Sequence, residues 1–366
     1  MSTTASSTAA GTGSAADTGS AAGAGSLQLE YLSSHQAASQ PSSWWQGVLG
    51  VVGFDKPPNI DRARIPVAAS MVRSLRADDL CEVWRVANPD VQLSSGAEQG
   101  KIRYRYSDDL LFGSLSIAER AVDARSEAEA LQRATEIAYQ EIFDLLDDTA
   151  HPHVLRIWNY LPNINAQAGG DERYRHFNSA RQTAFRKSGR ATMGTVPAAS
   201  ALGSPAGSPL SIYFLAARRP PRMIENPRQT SAYHYPRKFG RHSPIFSRAC
   251  IWGDSGGRLF VSGTASIVGH ETIHRGDVIA QTRETIVNIG ALLEQANRIV
   301  GASRYSLDSL KLKVYLRNPS DLPGVEAALA GLLRSGASLP HPAPFIVYLQ
   351  ADVCREDLLV EIEAVG

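Results

Sequence analysis

Ser126-Glu127-Ala128-Glu129, followed by Leu131, Ala134, Ala138, Ile142 and Leu145, is the stretch whose reading decides the fold. The serine and the glutamate three residues on form the pattern of a capping box, which pairs two of the backbone N–H groups that a helix start leaves open. The apolar residues behind it recur at helical spacing. His151-Pro152 ends that helix, and Val154 to Leu161 reads as a strand. A helix from about Asp171 to Lys187 and a strand from Leu210 to Ala216 follow. The second half of the chain repeats this order. Asp277 can cap a helix with the stripe Ile279, Ile286, Ile289, Leu293 and Val300, and Gly301 is placed to stop it. A strand at Leu310 to Leu316, a helix near Asp321 to Arg334 and a strand at Phe345 to Gln350 come next. Strands also precede the long helices, at about Leu80 to Val86 and Ile102 to Tyr106 in the first half and at Arg258 to Ser262 in the second. The pattern predicts an α+β protein made of two modules in pseudo-repeat, residues 27–220 and 221–366, each a sheet with helices packed on one face. Residues 1–26 are almost only Ala, Gly, Ser and Thr. They offer too little apolar surface to offset their ordering entropy and are expected to be a disordered tail.

Composition narrows the class. The chain has 366 residues, 43% hydrophobic and 20% charged, as a globular protein does. A formal net charge of +1 speaks against a nucleic-acid binder. No apolar run approaches the roughly 18 residues of a membrane span, and no secretory signal follows Met1. Cys81, Cys250 and Cys354 are few, odd in number and far apart, which suits free thiols in a cytoplasmic protein.

Four segments could carry chemistry. Asn226 to Gly253 holds Arg228, Arg237, Lys238, Arg241 and Arg248 without a single Asp or Glu. Aromatic residues are interleaved with these cations, and three prolines suggest an irregular, shaped loop. It is either a solvated basic loop or a cradle for carboxylates, which the guanidinium fork suits. Tyr174 and Arg181 lie two helical turns apart, hence on one helix face. Alone, that pattern fits equally a packed helix with an exposed arginine. His270-Glu271-Thr272-Ile273-His274 matches the zinc-protease spacing, which binds metal only on a helix. Gly269 before it and Gly276-Asp277 after it predict a loop, so no metal is expected. Near the C-terminus, Glu361 and Glu363 alternate with Val360, Ile362 and Ala364. A strand there puts both carboxyls on one face, either towards solvent at an edge or buried, where a raised pKa would suit proton transfer.

That ending, Val360-Glu361-Ile362-Glu363-Ala364, resembles the end of the RidA/YjgF-type deaminases, as does the order of elements. The arginine of those deaminases that binds substrate falls here on Ile346, which argues against imine deamination. Longer runs resemble the chorismatases: Glu225-Asn226-Pro227-Arg228-Gln229-Thr230-Ser231-Ala232-Tyr233-His234-Tyr235-Pro236-Arg237, Ser243-Pro244-Ile245-Phe246-Ser247-Arg248-Ala249, Ser262-Gly263-Thr264-Ala265-Ser266-Ile267-Val268-Gly269-His270-Glu271 and Arg156-Ile157-Trp158-Asn159-Tyr160-Leu161-Pro162-Asn163-Ile164-Asn165. The likeness extends from about residue 30 to the end.

The resemblance implies a pocket for chorismate that uses Tyr174, Arg181, Tyr235 and Arg248, with Glu361 as the acid/base and no metal or organic cofactor. It implies cleavage to pyruvate and 3-hydroxybenzoate, with 4-hydroxybenzoate as a possible second product. Cys354, seven residues before Glu361, resembles the aromatising members, whereas the hydrolytic ones tend to carry Val there. Read without the resemblance, it is a small buried hydrophobe. The competing expectations are a chorismate hydrolase that gives a dihydroxycyclohexadiene acid, a non-catalytic module that binds small acids, and a zinc hydrolase. The expected assembly is a monomer or a small homo-oligomer.

Overall fold

The computed structural model describes residues 27–60, 65–88, 91–96, 101–254, 257–335 and 345–366. The expected tail at 1–26 lies outside them. The helix Glu127–Asp148 starts where the sequence predicts, with the Ser126 hydroxyl accepting the Glu129 N–H at 3.2 Å. The second half of the capping box differs, because the Glu129 carboxylate takes the N–H of Arg125 instead of that of Ser126. In the helix Val278–Val300 the Asp277 carboxylate accepts the Ala280 N–H, and Gly301 ends it in the left-handed conformation, φ 71°.

Two seven-stranded sheets form the frame. One runs in the order Asp352–Val353, Ala198–Ser204, His153–Pro162, Leu210–Ala217, Leu110–Ile117, Arg103–Tyr106, Ser94–Ser95. The other runs Arg73–Ser74, Phe345–Gln350, Lys311–Leu316, Val360–Val365, Arg258–Thr264, Ala249–Trp252, Arg222–Ile224. The five inner strands correspond one to one. Each set has a single parallel pair, 153–162 with 198–204 and 311–316 with 345–350, because a helix crosses over between those two strands. Each sheet also takes an edge strand from the other half of the chain.

The helices Glu127–Asp148 and Arg173–Lys187 pack on the outer face of the first sheet through Leu131, Ile142, Phe143, Phe177 and Phe185. The helices Val278–Val300 and Leu322–Ser335 cover the second through Ile286, Ile289, Leu292, Val325 and Leu329. The inner faces meet in a core that includes Trp158, Tyr160, Tyr213, Phe260, Tyr315 and Val365. The layers are therefore helices, sheet, sheet, helices. No helix among the described residues is long and apolar enough to cross a membrane.

Three expectations are corrected. Leu80–Val86 is not in the first sheet but in a separate four-stranded one with Leu27–Ser33, Val48–Gly53 and Val67–Ala69, which sends Trp84 into the core between the large sheets. Its expected place is held by Leu110–Ile117, buried at every position but Ser116. A strand covered on both faces lacks the alternation that would mark it. Finally, Ala249–Trp252 is a regular strand within the segment expected to be irregular, and it too is buried throughout.

Candidate active site

Alternation along Val360–Val365 turns Val360, Ile362 and Ala364 towards the helices and sends Glu361 and Glu363 to the opposite face. Both carboxyls are buried, at about 3% exposure, so the edge-strand reading fails. The strand is central in its sheet, with 258–264 on one side and 311–316 on the other.

Glu363 enters a dense polar network. Its carboxylate accepts from Arg156, Ser200, Trp158 and Lys313, each at 2.7 Å. Lys313 also pairs with Glu82 at 2.7 Å and donates to the Tyr213 hydroxyl at 2.9 Å. Burial alone would raise the Glu363 carboxyl, but Lys313 and Arg156 outweigh it and hold it below the usual carboxylate range. Lys313 is correspondingly raised: burial would lower it, and Glu363 and Glu82 override that.

Glu361 meets the reverse. Its carboxyl accepts no hydrogen bond from any described residue, and burial, with the charge of Glu363 adding to it, pushes its pKa up to about 8. Arg156 and Arg248 offset this only in part. Room for the carboxyl comes from Gly263 on the neighbouring strand, where a Cβ would stand 1.9 Å from Glu361 Oε1.

Glu361 lines a cavity of about 310 Å³ between the two halves of the molecule. Tyr174 and Arg175 enter it from the helix Arg173–Lys187. Tyr235, Phe239, Phe246 and Arg248 come from the basic segment, and Cys354 and Arg355 from the turn before the last strand. The Arg248 side chain is fixed by the Thr230 carbonyl at 2.7 Å and the Tyr235 hydroxyl at 2.8 Å, while its Nε has no partner among the described residues.

Arg181 does not line this chamber. It lies on a narrow inner recess of about 30 Å³ that shares Tyr174, Phe246, Cys354 and Glu361 with it. Far from being exposed, it is buried, donating from Nε to the Tyr139 hydroxyl at 2.7 Å and from Nη1 to the Ile245 carbonyl, with Nη2 unpaired among the described residues. Tyr174, Arg181, Tyr235, Arg248, Cys354 and Glu361 thus line these two pockets, with Tyr174, Cys354 and Glu361 on both. Burial, with Glu361 close by, lifts the Cys354 thiol to about 12. Burial and Cys354 hold the Tyr174 phenol well above its ordinary value. At neutral pH Glu361, Cys354 and Tyr174 all keep their protons.

The remaining cations of the basic segment have other duties. Arg228 pairs with Glu284 at 2.6 Å, Lys238 reaches Glu271, and Arg237 and Arg241 are exposed. Residues 270–274 are not helical: His270 lies in the turn of the hairpin Ile267–Val268 with Glu271–Thr272, and His274 follows it. His270 stands 3.2 Å from Glu271 and His274 3.7 Å from Glu284, so the two imidazoles face different carboxylates. No group of three His, Cys, Asp or Glu among the described residues is placed to hold a metal.

Sequence reasoning missed Arg355, Gly263 and the whole Glu363 network. Lys313 and Glu82 share their strands with Lys311 and Arg85, but Arg156 is the lone charge in the largely apolar run Val154 to Leu161, and such a charge demands a buried counter-charge. That signal was present in the sequence.

Residues 82–216 match the family model described as "Chorismatase FkbO/Hyg5-like, N-terminal". The chain is 36% identical over 333 residues to a 3-hydroxybenzoate synthase of Streptomyces hygroscopicus, covering 87% of this chain and 92% of that protein. It is 35% identical to a chorismatase of Streptomyces rapamycinicus, covering 79% of this chain and 82% of that one. A crystal structure of a chorismatase superposes with a TM-score of 0.77 at 31% identity, covering 93% of this chain and 98% of that one. With likeness of this extent to named chorismatases, the chain belongs to the chorismatase family.

Proposed function

We propose that the protein cleaves chorismate to pyruvate and 3-hydroxybenzoate, with the protonated Glu361 carboxyl as the acid. Chorismate carries one carboxylate on its ring and one on its enolpyruvyl arm. Arg248 and Arg181 each have a guanidinium nitrogen with no partner among the described residues, in two pockets that Glu361 lines in common, and each can take a carboxylate in a charge-assisted contact. Tyr235 orients Arg248, and Tyr174, kept neutral, can donate a hydrogen bond beside it.

Glu361 gives its proton to the enolpyruvyl methylene carbon. The ether carbon gains oxocarbenium character, and the arm departs as pyruvate. Rearrangement of the ring hydroxyl and loss of one ring proton then give the aromatic acid. That proton balances the one delivered, so no water is consumed. Hydrolysis to a dihydroxycyclohexadiene acid would take up one water. Cys354 stands where the two outcomes part. Cys354→Val is expected to raise the share of the hydrolysis product, measured by chromatography of the products; an unchanged ratio removes Cys354 from that role. Chromatography of the wild-type products also decides whether 4-hydroxybenzoate accompanies the 3-isomer.

The observation that carries the reading is a buried carboxyl that accepts no hydrogen bond from a described residue and shares a cavity with Arg248 and Arg355, where burial and Glu363 push its pKa up to about 8. A proton donor whose pKa lies near the working pH is suited to general acid catalysis. Glu361→Gln is expected to bind chorismate and to lose nearly all release of pyruvate. Retained turnover would refute the role of Glu361. Activity that needs the protonated form falls as pH rises through about 8.

A further inference from the structure

The large chamber contains a guanidinium that the roles above leave unused. Arg355 lies on the turn between Asp352–Val353 and the last strand. Its guanidinium carbon stands 4.1 Å from the centre of the Phe239 ring and 5.1 Å from that of Tyr235. Arg248 faces the same Tyr235 ring at 5.6 Å, so two cations flank one phenol. Nη1 of Arg355 is tied to the His270 carbonyl at 2.9 Å and to the Thr272 hydroxyl at 3.3 Å. Nη2 is buried and has no partner among the described residues.

We propose that Arg355 is a substrate-binding residue whose Nη2 takes one of the two carboxylates of the dianion in the outer chamber. The inference rests on the functional reading above. Three features support it. First, stacking and two anchors fix the guanidinium in place, so little side-chain entropy is lost when a ligand arrives. Second, a buried donor left unpaired is costly, and a carboxylate removes that cost. Third, Arg355 lines the same chamber as Arg248, so the two guanidiniums can share one carboxylate there while the other end of the dianion reaches Arg181 in the recess. Carboxylates anchored at both ends would distinguish the dianion from singly charged ring acids of the same shape.

The test uses the full chain and three ligands: chorismate and its two monomethyl esters, one blocked at the ring carboxylate and one at the side-arm carboxylate. For Arg355→Gln, KM for chorismate should rise by about 10- to 100-fold, the usual worth of a hydrogen bond to a charged group. The kcat should stay within about threefold, because Arg355 is not asked to touch the reacting atoms. One of the two monoesters should bind wild type and variant equally, since it lacks the carboxylate that Arg355 holds. Arg355→Lys should recover part of the loss. If the variant weakens chorismate and both monoesters alike, or weakens none, Arg355 only packs the 267–272 hairpin and the proposal is wrong. Wild-type protein that neither binds nor turns over chorismate would overturn the functional reading itself, a result separate from any effect of the variant.

Discussion

Glu361 and Glu363 leave the same face of one strand, two residues apart, and meet opposite surroundings. Around Glu363 every oxygen is answered: two cations, a serine and an indole converge on it, and it is held ionised. Around Glu361 there is a cavity, no hydrogen bond from a described residue and the charge of Glu363 itself, so the carboxyl keeps its proton. The difference teaches that neither residue type nor strand pattern fixes the chemistry of a carboxyl. Its neighbours do, and here the fixed charge of one helps hold the proton on the other.

The largest effect should come from the pocket side of this pair. Glu361→Gln removes the acid and is expected to lower kcat by about 10²- to 10⁴-fold, the usual contribution of a placed acid. Assays of pyruvate release check it. A loss below tenfold would make the two glutamates more alike than their surroundings suggest.

On the network side, Glu363→Gln should instead cost stability. It leaves Arg156 without its carboxylate and Lys313 with Glu82 alone, and breaking a buried ion pair costs about 3–5 kcal/mol. Equilibrium unfolding in denaturant measures this. A loss under about 1 kcal/mol would show that Glu363 is not the keystone of the network.

The same carboxyl that loses activity should gain stability when neutralised. The folded chain keeps the Glu361 proton up to about pH 8, whereas the unfolded chain releases it near its ordinary value of 4.5. Folding therefore grows costlier as pH rises between these limits, and below them both states are protonated and the cost is gone. Glu361→Gln removes the cost. It should be more stable than wild type by about 4 kcal/mol at pH 8, shrinking below about 1 kcal/mol at pH 5. A difference that does not vary with pH would sever the link to protonation.

The smallest change concerns Arg248, which tempers Glu361 and faces the cavity. Arg248→Ala should raise KM by about 10- to 100-fold. An unchanged KM would remove Arg248 from the substrate contact.

Much of the fold was legible because its long helices announce themselves. Ser126 and Asp277 cap them, Gly301 stops one, and their apolar stripes are regular. Strands buried on both faces carry no such period, which is why Leu110–Ile117 and Ala249–Trp252 were passed over and Leu80–Val86 was given to the wrong sheet. In the site, the glutamates were visible through their alternation and Arg248 through its setting among aromatics. What spacing could not tell is which glutamate faces a cavity and which faces Lys313, since those partners lie far away in sequence. Nor could it place Arg181, whose helix periodicity fits an exposed and a buried arginine equally.

Catalysis as proposed requires the proton held by Glu361. Glutamate side chains labelled with carbon-13 at the carboxyl can be followed by NMR as pH is raised. The signal abolished by Glu361→Gln should titrate near pH 8. If that signal is already fully ionised at pH 6, the carboxyl holds no proton to give and the account is contradicted.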